Sequence, residues 1–90
     1  MAKKFTKKEV AVQVRQAVID ICGFPQDWVT EEKILVSDLT FDVLDLTELM
    51  MNIEDMFGVE FGDEIIDQQT VGGLINYVTE NLEKKGMVAA

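Results

Sequence analysis

Ninety residues make one domain, and a chain this short buries only about 60–65 % of its unfolded surface, so its core is small. The net charge of −9 sets nucleic acid and anionic membranes aside as partners, and a 48 % hydrophobic share excludes a disordered acidic tail. One cysteine and no histidine rule out an internal disulfide, a cysteine-based zinc site and any Ser-His or Cys-His catalytic pair.

The first helix is predicted from Lys7 to Ile21. Thr6 and Glu9 have the spacing of a capping box, in which each side chain satisfies the other's free backbone N–H. Val10, Val14, Ala17, Val18 and Ile21 recur at helical spacing and form one apolar stripe. Cys22 ends that stripe and fits a small buried hydrophobe better than a reactive thiol. Gly23 stops the helix, and Pro25 confirms a loop. The segment before the helix lacks the apolar core of a signal peptide, and no apolar run approaches ~18 residues, which points to a cytoplasmic protein.

A long connection follows, from Gly23 to Thr40. Its Trp28, Val29, Ile34, Leu35, Val36 and Leu39 are expected to pack along the helices, and Thr30 to Lys33 to form one short helical turn. Ile34-Leu35-Val36 has strand propensity but no partner strand of comparable strength, so no sheet is expected.

The second helix starts at Asp42 as N-cap and ends near Phe57-Gly58, with Asp45 at the third helical position. Leu46, Leu49, Met50, Ile53 and Phe57 are its core face. A second line, Leu44, Thr47 and Met51, runs beside Asp45, Glu48, Glu54 and Asp55, where a helix facing only water would be polar. A short third helix is predicted within Asp63 to Asp67. A fourth runs from Val71 to Lys85 behind Thr70, with the stripe Val71, Leu74, Ile75, Val78 and Leu82. Gly72 and Gly73 weaken its first turn by roughly 1 kcal/mol each, and Gly86 suits its stop. The sum is an all-α, small four-helix bundle of three main helices, a short third one and a long first loop. One domain spans residues 1–90, with its core over about 6–83 and a frayed tail at 84–90.

Lys3, Lys4, Lys7, Lys8, Arg15, Lys33, Lys84 and Lys85 are all the basic residues, and none lies between Ile34 and Leu82. That window is acidic throughout. A surface of one sign steers basic partners toward itself and points to protein docking by a monomer. Asp38, Asp42 and Asp45 converge on the start of the second helix. The calcium pattern D-x-D-x-D-G is absent, so only weak, charge-driven cation binding is expected and no metal site is assigned.

Asp38-Leu39, Asp42, Leu44-Asp45 and Glu48-Leu49 stand at the spacing of the D-S-L-(D/E) motif region of acyl carrier proteins. Ile53-Glu54-Asp55-Met56-Phe57, Thr70-Val71-Gly72 and Tyr77-Val78 continue the match, and the chain resembles that family over about residues 6–83. The resemblance implies a carrier of fatty-acid or polyketide type synthesis, not an enzyme, with no catalytic residues. Its family loads a 4′-phosphopantetheine arm on a serine, and Val43 stands at that position, so no cofactor is expected on this chain. Of the nearby hydroxyls, Ser37, Thr40 and Thr47, none sits beside the aspartate in the first turn.

The resemblance also implies docking on basic surfaces of phosphopantetheinyl transferase or acyl-chain synthesis enzymes through Asp42, Leu44, Asp45, Glu48, Met51, Glu54 and Asp55. Val43 then marks either a natural divergence or a blocked variant of an ordinary carrier. The alternative is an acidic structural or regulatory module with one dedicated partner. Two further departures bear on shape. Thr40 replaces a usual glycine, so the entry to the second helix is expected to be reshaped. Gly62 replaces a common proline in a segment about one residue short, which is expected to displace the short third helix.

Overall fold

Side-chain caps set where the helices begin, in a computed structural model that describes residues 4–61 and 69–89. Helix α1 spans Lys7–Cys22, α2 Val43–Phe57 and α3 Val71–Lys84. At α1, Thr6 Oγ1 accepts the Glu9 N–H and Glu9 Oε1 accepts the Thr6 N–H, each at 3.0 Å. At α2, Asp42 Oδ1 accepts the Asp45 N–H at 2.8 Å and Asp45 Oδ2 accepts the Asp42 N–H at 3.1 Å. Thr70 Oγ1 accepts the Gly73 N–H at the start of α3, at 2.9 Å. Gly23 and Gly58 end α1 and α2 in the left-handed conformation, φ 72° and 68°, which costs glycine nothing.

Helical periodicity then builds the core. Val10, Val14, Ala17 and Val18 of α1 meet Leu46, Leu49, Met50, Ile53 and Phe57 of α2 and Val71, Leu74, Ile75, Val78 and Leu82 of α3 in one buried cluster. Each of these side chains larger than alanine contributes roughly 1.5–3 kcal/mol on leaving water. Ile21, expected in the stripe, is only half-buried. Thr79 joins the buried face of α3, its hydroxyl satisfied by donation to the Ile75 carbonyl at 2.7 Å. Helix α1 packs against both α2 and α3. No helix among the described residues is long and apolar enough to cross a membrane. The short helix expected within 63–67, and its displacement, lie outside the described residues.

The long loop is held by two devices. Arg15 reaches across from α1, its Nε donating to the Val29 carbonyl at 2.9 Å and its Nη2 to the Gln26 carbonyl. The start of α3 supplies the other: Leu35 N–H donates to Gln69 O, Val71 N–H to Lys33 O and Gly72 N–H to Glu31 O, at 3.0, 2.9 and 2.8 Å. The strand propensity of Ile34-Leu35-Val36 yields a single antiparallel bridge, Ile34 with Thr70, and no strand among the described residues. Residues 30–33 close one turn, Lys33 N–H to Thr30 O, without becoming a helix. Val29, Leu35, Leu39 and Phe41 are buried, whereas Trp28, expected to pack along the helices, is 49 % exposed. Lys33 Nζ sits 3.7 Å from its ring centroid instead, a cation–π contact that holds the ring at the surface.

At the entry to α2, Thr40 has φ 59°, the left-handed backbone conformation that glycine adopts without strain. A β-branched L-residue there costs roughly 1–2 kcal/mol. Thr40→Gly is therefore expected to raise the stability by about 1 kcal/mol, after the larger chain entropy of an unfolded glycine is offset. A urea midpoint that falls in the variant would contradict this.

The tail, expected to fray, is hydrogen-bonded to the start of the chain over residues 87–89. Phe5 N–H donates to the Met87 carbonyl at 2.7 Å and Ala89 N–H to the Phe5 carbonyl at 2.9 Å, which pairs Phe5 in parallel with Val88. Met87 and Val88 rest half-buried on the core. Gly86, φ 71°, turns the chain back toward α1, so the end of α3 leads into a clasp between the two chain ends.

Candidate docking surface and attachment position

The outer face of α2 is set by the burial of its inner one. With Leu46, Leu49, Met50, Ile53 and Phe57 turned inward, positions 43, 44, 47, 48, 51 and 55 face outward. Three of these are large and apolar, and they are open to water: Val43 is 76 % exposed, Leu44 78 % and Met51 59 %. The Thr47 hydroxyl donates to the Val43 carbonyl at 2.9 Å, which turns its oxygen to the backbone and leaves its methyl in the line.

The acids that flank this line have different employments. Asp42 and Asp45 are the two halves of the capping box, each committing one carboxylate oxygen to a backbone N–H. Glu54, half-buried, accepts the Phe61 N–H at 2.9 Å and so fixes the chain leaving α2. The Glu48 and Asp55 side chains are exposed, and their carboxylates accept no hydrogen bond from another described residue. The expected docking residues thus share one helix, but Asp42, Asp45 and Glu54 also hold the backbone. Asp38 is likewise engaged, its Oδ2 accepting the Ile34 N–H at 2.8 Å. Asp38, Asp42 and Asp45 each serve a backbone donor and do not gather as metal ligands.

Residues 12–78 match a family model described as a phosphopantetheine attachment site. The acyl carrier protein of Thermotoga maritima is 33 % identical over 78 residues, covering 86 % of this chain and 96 % of that protein. That of Thermobifida fusca is 36 % identical over 75 residues, covering 82 % and 95 %. The chain belongs to the acyl carrier protein family. Acyl carrier proteins are carriers rather than enzymes. The group for which the family model is named is 4′-phosphopantetheine.

Within an acyl carrier fold, Val43 occupies the first helical position of α2, directly after the Asp42 cap. It offers two methyl groups to solvent and no hydroxyl. Because it is so exposed, Val43→Ser is expected to change the stability by less than about 1 kcal/mol, the usual range for a surface substitution. Urea unfolding of the two proteins measures it, and a larger loss would make Val43 a packing residue.

Arg15, which sequence reasoning missed, and a backbone role of Glu54 that it did not foresee support the site from behind. Arg15 fixes the loop that leads to α2, and Glu54 fixes the loop that leaves it. A lone arginine inside an otherwise apolar-striped helix was the available signal for the first. Neither Arg15 nor Lys33 neutralises the acidic window, since one is bound to carbonyls and the other lies over Trp28. Added salt or millimolar divalent cation is therefore expected to raise the melting temperature by screening α2 and its surroundings. Indifference to both would mean that the basic residues near the N-terminus fold onto the acidic face.

Proposed function

We propose that this acyl carrier domain docks on acyl-chain synthesis enzymes, or on phosphopantetheinyl transferase, without carrying an acyl chain. Val43 takes the position of the attachment serine. The residues at the start of α2 do not fit the prosthetic group, because a phosphodiester needs a hydroxyl and Val43 has none. The two nearest threonines are no substitute: Thr40 donates to the Leu39 carbonyl at 2.7 Å, and Thr47 to that of Val43 one turn inside the helix.

Docking is the part of carrier function that survives. Exposed ion pairs contribute about 0.2–1 kcal/mol each, so Asp42, Asp45, Glu48, Glu54 and Asp55 chiefly speed and orient encounter with a basic surface. Leu44 and Met51 supply the apolar area whose burial holds the complex. The proposed setting is the cytoplasm, and the proposed state before docking is a monomer. The single observation that carries this reading is an exposed valine at the first position of an otherwise intact, capped α2.

The test is intact mass after incubation with coenzyme A and a broad-specificity phosphopantetheinyl transferase. No gain of a phosphopantetheine arm is expected. A modified wild-type chain would overturn the reading. Affinity capture adds the partner: recovery of acyl-chain enzymes supports docking within synthesis, and recovery of an unrelated protein favours a dedicated regulatory module.

A further inference from the structure

Val43 does more than remove a hydroxyl. It stands beside Leu44, and Thr47 and Met51 follow one and two turns along the same side of α2, so an unbroken apolar line of helical spacing reaches the first residue of the helix. The three large members are more than half exposed, whereas the other large hydrophobics of α2 are buried except for Met56, 36 % exposed near its end. Nothing in the fold explains this line: its side chains lie outside the core cluster and no loop among the described residues covers them. Asp45, Glu48 and Asp55 border it, and α2 contains no basic residue at all. An apolar strip rimmed by one sign of charge fits an apolar groove rimmed by the other.

We propose that Val43 is itself an affinity contact, seated in the apolar, cation-rimmed groove of a carrier-binding enzyme, and that the chain thereby acts as a competitive occupant of that groove against serine-bearing carriers. The proposal rests on the docking reading above and adds to it a role for the valine and a consequence for the partner. A carrier serine in the same place presents a polar group to the groove. Val43 presents two methyls there, so the unloaded chain gains contact at the spot where a loaded carrier directs its arm. The partner's groove is filled and no acyl chain is delivered.

The probe is the same phosphopantetheinyl transferase, titrated by calorimetry without coenzyme A so that no variant can be modified. Val43→Ala keeps the helix and still has no hydroxyl, and is expected to raise Kd by about tenfold, the effect of removing two buried methyl groups. Val43→Ser is expected to weaken binding at least as much. Val12→Ala is the control: Val12 is 59 % exposed on α1 and lies off this face, so its Kd is expected to stay unchanged. In a loading assay on a serine-bearing carrier, the wild-type chain is expected to raise the apparent KM for that carrier with kcat unchanged, and Val43→Ala to do so at about tenfold higher concentration. Val43→Ala or Val43→Ser binding as tightly as wild type would overturn the proposal and leave docking standing, provided that Leu44→Ala and Glu48→Gln still weaken it. Absence of wild-type binding, or insensitivity to Leu44→Ala and Glu48→Gln, would overturn the docking reading and this proposal with it.

Discussion

Phe5→Ala is expected to cost about 3–5 kcal/mol, the range for emptying a buried aromatic site. Phe5 is 5 % exposed and belongs to the core cluster. Its ring meets that of Phe57, the last residue of α2, edge to face at 4.9 Å between centroids and 84° between planes. Such a pair contributes about 0.5–1.5 kcal/mol beyond its buried area. A domain of this length has roughly 5–14 kcal/mol of stability in all, so the loss is a large share of it. The backbone bonds of residue 5 to Met87 and Ala89 do not need the ring, yet the ring is what holds that strand-like arm against the bundle. Urea unfolding of the full chain measures the effect, and a double-mutant cycle with Phe57→Ala isolates the ring pair. A loss under 1 kcal/mol would mean that the arm stands away from the core in solution.

That contact shows where sequence reading reached its limit. The three main helices, their caps and their buried stripes were legible because each rule acts over three or four residues. Thr6 with Glu9, Asp42 with Asp45 and Thr70 with Gly73 are all such local pairs. Phe5 and the tail were not legible, because their partners are each other, far apart in the chain. A local hint existed: Phe5 precedes the Thr6 cap and Val10 is the fourth helical residue, the two positions of a hydrophobic staple, and both are buried. Trp28 was misplaced for the opposite reason. Apolar character suggested burial, while a lysine five residues on was free to cover one face of the ring at the surface. On α2 the exposed line and its acidic border followed from periodicity alone, but the backbone duties of Glu54 and Asp38 depend on loop geometry that no spacing rule encodes.

Val43→Ser is expected to accept a phosphopantetheine arm under the conditions in which the wild-type chain does not, a change from none to nearly complete loading by intact mass. The substitution supplies the one chemical group the position lacks. The capping box holds Asp42 and Asp45 at 2.8 and 3.1 Å, so the first turn of α2 keeps its form whichever residue sits at position 43. Thr40, two residues before the cap, has the left-handed backbone, φ 59°, that a glycine would take without strain. At 76 % exposure, a side chain at this position is open to an enzyme from outside. A serine hydroxyl there also lies at the helix start, where the free N–H groups favour the negative charge of a phosphate. Loading of Val43→Ser, set against an unmodified wild type, would assign the loss of carrier chemistry to one side chain. An unmodified Val43→Ser chain would place a second loss elsewhere. Val43→Ser combined with Thr40→Gly then separates the loop from the segment around Gly62: loading restored only in the double variant would identify the threonine as the second obstacle to the transferase.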